Sequence, residues 1–107
     1  MGWNLVVWQW KQEFKEPSAR KKQKLKMSDV AHSLIASGDH AAAASFTQEP
    51  FVESLLDQYP GSDTDRPFLI ERYPKCVLIN YDSTARINIV PVIGRLAMKH
   101  GLNGTEA

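Results

Sequence analysis

The chain has 107 residues, 43% of them hydrophobic and 23% charged, and one cysteine, Cys76. That composition excludes a collagen-like or disordered chain, and a single cysteine excludes an intrachain disulfide. The net charge of +1 divides unevenly: residues 1–26 carry seven bases and two acids (+5), residues 27–83 three bases and nine acids (−6), and residues 84–107 three bases and one acid (+2).

All three tryptophans fall in residues 3–10, WNLVVWQW. Trp3, Leu5 and Val7 alternate with Val6, Trp8 and Trp10, so both faces of a strand here are apolar and the strand is expected to be covered on both. One or two of the tryptophans belong to the core. Trp10, next to Lys11, is expected at the edge, where it could anchor a partner. Glu16-Pro17-Ser18 marks a break, and Ser18 is a plausible N-cap. Residues 18–26 read as a basic helical turn or a mobile loop, with charges on every side and no apolar stripe. Ser28 caps the next helix, 28–37, in which Val30, Ala31, Leu34 and Ile35 form a stripe and Gly38 is the stop. Residues 38–46 read as a connection with some helical character.

The clearest helix is 48–59, capped by Thr47, with Pro50 tolerated in its first turn. Phe51, Val52, Leu55, Leu56 and Tyr59 fill one arc. Glu49, Glu53 and Asp57 fill the next, at i, i+4, i+8. A loop, 61–67, adds Asp63 and Asp65 near a helix C-terminus, where the dipole disfavours negative charge. Strands 68–73 and 76–81 follow as a hairpin across Pro74-Lys75, with Val77-Leu78-Ile79 central. Residues 85–90 fit a strand or a helix. Residues 91–100 read as a helix ended by Gly101, with Leu102 making the accompanying apolar contact. The expected fold is α+β: a single domain with a small antiparallel or mixed sheet of about three strands and helices packed mainly on one face.

No catalytic or cofactor signature is present. His32, His40 and His100 lack metal-ligand spacing, and no metal or cofactor is expected. Cys76 opens an apolar strand and reads as a small hydrophobe. There is no phosphate loop, nucleophile elbow or dinucleotide fingerprint. The chain is expected not to be an enzyme. Without a long apolar run or a secretory leader, the expected location is the cytoplasm.

Two charged features remain. Glu49, Glu53, Asp57, Asp63 and Asp65, with Trp10, form a candidate surface for a basic protein partner. Arg20, Lys21, Lys22, Lys24 and Lys26 form a candidate phosphate-binding surface, but without aromatic stacking platforms.

The chain also resembles the small bacterial immunity proteins of polymorphic toxin and contact-dependent inhibition systems. The resemblance rests on Trp3-Asn4-Leu5 in the opening strand, on Tyr59-Pro60 before the acidic loop, on the central strand pair, and on Leu96-Ala97-Met98-Lys99-His100-Gly101-Leu102 near the end. The basic segment 18–26 departs from that pattern. So does the tail after Leu102, which lacks the strand-like ending of the family. The resemblance implies a non-catalytic protein that binds and occludes a cognate toxin. It carries over no binding residues. The alternative is a small nucleic-acid-associated or regulatory protein using residues 19–26.

Overall fold

The computed structural model describes residues 2–107. Strand β1 (Gly2–Trp10) is the spine of the sheet. Along one edge it pairs antiparallel with β4 (Cys76–Asp82), from Gly2 opposite Asp82 to Trp8 opposite Cys76. Its other edge is shared end to end by two short strands. β5 (Asn103–Glu106) lies beside Leu5 to Trp8, and β2 (Ala43–Ala44) beside Gln9 and Trp10. β3 (Leu69–Tyr73) forms the hairpin with β4 and takes the far edge. Every pairing among the described residues is antiparallel.

The alternation in β1 decides what covers the sheet. Leu5 and Val7, with Val77, Ile79 and Tyr81, face α3 (Glu49–Gln58) and α4 (Ser83–Lys99), which contribute Phe51, Leu55, Ile89, Ile93 and Ala97. Val6, Trp8 and Trp10, with Cys76 and Leu78, face α2 (Met27–Ser37) through Val30, Ala31 and Leu34. The class is α+β as expected, but the sheet has five strands and the helices lie on both faces. The cause is the second apolar face of β1. Each large side chain there is worth roughly 1.5–3 kcal/mol when buried, so a helix on one side only would leave Trp8 and Trp10 wet.

Four local readings change. α1 (Pro17–Lys22) follows Glu16, and α2 follows Lys26, so Ser18 and Ser28 lie inside their helices rather than capping them. Gln48, not Thr47, precedes α3. Residues 38–46 hold a turn and β2 rather than helix, because Ala42 and Ala43 are small enough to pack at the end of β1. α4 runs unbroken from Ser83, so 85–90 is helical and Pro91 lies inside. Pro91 cannot donate to the carbonyl of Ile87. Ile87 is on the solvent side, where water can satisfy that group.

The end of α4 follows the expected pattern of a left-handed glycine with an apolar contact beyond it. Gly101 has a φ of +72°. Gly101 N–H donates to Met98 O (3.0 Å), and Leu102 N–H donates to Ala97 O (2.8 Å). Leu102 is buried. The tail then turns back as β5, which the sequence pattern did not show. Trp8 Nε1–H donates to Thr105 Oγ1 (3.2 Å), and Asn4 and Ala107 exchange backbone hydrogen bonds.

Candidate functional site

α3 buries Phe51, Val52 and Leu55 against the sheet, which turns Glu53 and Asp57 to solvent on the opposite side. Neither carboxylate has an ion-pair or hydrogen-bond partner among the described residues. The rest of the acidic set is engaged. Glu49 pairs with Arg72 Nη2 (3.1 Å), and the backbone N–H at the helix start together with Arg72 holds its carboxyl below the usual carboxylate range. Arg72 also donates to Gln48 Oε1 (2.9 Å), while Gln48 Nε2 donates to Tyr73 O at the hairpin. Arg72 and buried Gln48 therefore fasten the start of α3 to β3.

The loop acids have structural work. Asp65 accepts from the backbone N–H and the hydroxyl of Ser62 (both 3.0 Å), and these bonds lower its carboxyl from the ordinary value. Asp63 pairs with Arg66 Nη1 (2.6 Å). Arg66 in turn donates to Tyr59 O (2.9 Å) and Gly61 O (2.7 Å). A cation thus sits at the C-terminal end of α3, where the dipole favours it, and Asp63 pairs with that cation. The apparent electrostatic cost of acids at this helix end is resolved by Arg66, which charge counting alone did not single out.

Trp10 is not a surface anchor. It is 6% exposed and packs edge-on to Trp8, with ring centroids 4.5 Å apart. The exposed tryptophan is Trp3, at 37%. On the opposite face of the sheet, β3 turns Leu69, Glu71 and Tyr73 to the side away from α3 and its acidic stripe. Leu69 is 60% exposed, and Tyr73 OH donates to Glu71 Oε2 (3.0 Å). The sequence reading placed this strand in the hairpin without assigning its faces. Period-2 alternation marks its two faces, but only the topology shows it to be an edge strand.

The basic segment is ordered. α1 is followed by a left-handed residue, Lys24, with a φ of 55°. Lys24 N–H donates to Lys21 O (3.1 Å) and Leu25 N–H to Arg20 O (3.0 Å), which closes the helix end. Leu25 packs on the core beneath α2, and the Arg20 guanidinium lies 5.0 Å from the Trp10 ring centroid. Of the two readings of 18–26, the structure has the helical turn rather than the mobile loop, and Leu25 joins it to the core. Lys21, Lys22, Lys24 and Lys26 remain exposed on its outer side.

Comparison with family models, curated proteins and solved structures finds no match.

Cys76, His40 and His100 are occupied or shielded, while His32 lies exposed on α2. Cys76 is buried, and burial pushes its thiol up to about 11, away from a reactive thiolate. His100 Nε2 lies 3.1 Å from Ser54 Oγ, joining α4 to α3, and His40 Nδ1 accepts from the Ala42 N–H (2.9 Å). No three His, Cys, Asp or Glu side chains cluster as a metal requires, among the described residues. No helix there is long and apolar enough to cross a membrane.

Proposed function

We propose that the chain is a small binding protein of the immunity type, which docks on a basic toxin through the outer face of α3 and occludes it. The observation that carries this reading is the contrast within the acidic stripe. Glu49, Asp63 and Asp65 each serve the fold, whereas Glu53 and Asp57 project together from α3 with no partner among the described residues. Two adjacent unneutralised carboxylates on a rigid helix attract a cationic surface and speed its docking. The test is growth rescue: the chain is co-expressed with a basic toxin domain found encoded next to its gene. Protection that is lost in Glu53→Lys with Asp57→Lys, in a variant that still folds, supports the reading. Protection unaffected by the double substitution, or absent from the parent, overturns it.

A second reading uses the four exposed lysines Lys21, Lys22, Lys24 and Lys26, in α1 and the turn leading to α2, as phosphate contacts on a segment that Leu25 and Arg20 join to the core. Salt-sensitive retention of nucleic acid by the purified chain, abolished when Lys21, Lys22 and Lys24 become Gln, would favour it.

A further inference from the structure

We propose that two copies of the chain associate through the open edge of β5, making one continuous sheet across a two-fold axis. This surface lies on the far side of α4 from α3 and is independent of the acidic face. β5 pairs with β1 on one side only among the described residues. Asn4 and Ala107 exchange both backbone hydrogen bonds (Asn4 N–H to Ala107 O 3.3 Å, Ala107 N–H to Asn4 O 2.9 Å). In an antiparallel ladder such pairs alternate with pairs that exchange none. From the register, Val6–Thr105 and Trp8–Asn103 are then the bonded pairs, and the N–H and C=O groups of Gly104 and Glu106 point away from β1. An edge of this kind is a template for another strand.

The edge is self-complementary. A two-fold axis through Thr105 sets Gly104 of one copy opposite Glu106 of the other, twice, so all the outward groups are satisfied. Thr105 then faces its own copy, a favourable cross-strand pair. Glu106 brings no net charge, because Arg86 holds it by two bonds (Nε–Oε1 2.8 Å, Nη2–Oε2 2.6 Å) and Tyr81 OH donates to it (2.8 Å).

α4 matches the same axis. It crosses close to β5: a Cβ added at Gly104 would stand 3.6 Å from Gly94 Cα. The axis lies half a strand spacing beyond β5, so pairing the two edges brings the outer sides of the two α4 helices against each other. The side that would meet the second copy carries Ile87, Pro91, Gly94 and Met98, at the i, i+4, i+7, i+11 spacing of a helix–helix seam. Ile87 is 80% exposed and Met98 74%, the two most exposed large apolar side chains among the described residues. In the antiparallel pair, Ile87 of one copy meets Met98 of the other. A cleft of 460 Å³ that includes Ile87, Val90, Pro91 and Glu106 in its lining is the space the second helix covers.

The experiment is sedimentation equilibrium of the full chain over a concentration series. The expected mass is twice the 12.1 kDa of one chain, falling to one chain on dilution. Gly104→Pro removes an outward N–H, which an edge strand tolerates, and sets a ring against Gly94 of α4. Ile87→Glu places a charge in the seam at a position the isolated fold leaves exposed. Each should weaken association at least about tenfold with an unchanged circular dichroism spectrum, while Gly104→Ala should associate like the parent. If Gly104→Pro fails to fold, Ile87→Glu decides alone. A parent that keeps the mass of one chain at every concentration overturns the proposal and leaves the β5 edge to a foreign strand. So does a dimer that persists in a folded Ile87→Glu variant.

Discussion

The Arg86 guanidinium lies over the Trp3 ring, 4.4 Å from its centroid. The same guanidinium holds Glu106, so one side chain at the start of α4 ties the first strand to the last. Trp3 is thereby covered by a cation rather than by core, whereas Trp8 and Trp10 are enclosed beneath α2. The three tryptophans divide by strand parity: odd-numbered Trp3 faces α4, and even-numbered Trp8 and Trp10 face α2.

This division predicts unequal costs. Trp10→Ala should destabilise by about 3–5 kcal/mol, as for a large ring removed from a packed interior. Trp3→Ala should cost about 1–2 kcal/mol, from partial burial and a cation–π contact. Urea unfolding midpoints measure both. Equal losses would contradict the assignment of Trp3 to the surface.

The Arg86–Glu106 pair gives a pH dependence with a definite sign. The Arg86 hydrogen bond, followed by that of Tyr81, holds the Glu106 carboxyl below its ordinary 4.5, against the opposing effect of burial. A carboxyl lowered in the folded state contributes stability that is fully present above its unfolded value. That contribution is lost as pH falls below 4.5 and through the folded value. Glu106→Gln should therefore melt lower than the parent at neutral pH, and the gap should narrow as the solution is acidified below this range. A gap independent of pH would show that the pair has no such role.

Two helix ends separate backbone strain from packing. Lys24 adopts a φ of 55°. A side chain there carries a cost that glycine avoids. Lys24→Gly should stabilise by up to about 1 kcal/mol, and Lys24→Gln should be near neutral. Gly38, at φ +73°, has a second constraint: a Cβ there would stand 2.9 Å from Tyr73 Cδ1. Gly38→Ala should cost more than about 1–2 kcal/mol, since the left-handed cost adds to the clash. Thermal melts of the three variants check the order.

What the sequence made legible followed from periodicity. Phe51, Val52 and Leu55 placed α3, and Val77-Leu78-Ile79 placed the central strand. Gly101 with Leu102 placed the end of α4. β5 was illegible because Asn103-Gly104-Thr105-Glu106 has little strand propensity. It forms because β1 offers a free edge and Trp8 an indole donor. Pro91 obscured the first half of α4, since a proline inside a helix is unusual and its tolerance depends on which side of the helix the open carbonyl faces. Trp10 was misplaced because neighbouring charges suggested an edge, while the alanines of β2 and the Arg20 side chain close over it. Of the candidate site, the acidic stripe could be read from spacing, but the partners that leave only Glu53 and Asp57 unengaged could not.

The place of Ile79 tests the core. It is fully buried on the face shared by α3 and α4. Ile79→Ala should destabilise by about 2–5 kcal/mol, read as a lower urea midpoint with an unchanged slope. A midpoint equal to that of the parent would contradict the sheet order.

The docking face stands or falls on the association rate with the toxin domain, measured at low and at near-physiological salt for the parent and for Glu53→Lys with Asp57→Lys. Association of the double variant should be at least about tenfold slower at low salt, with a weakened salt dependence and an unchanged thermal melt. Equal association rates for the two proteins at low salt would show that Glu53 and Asp57 form only a solvated face, and would contradict the proposed docking surface.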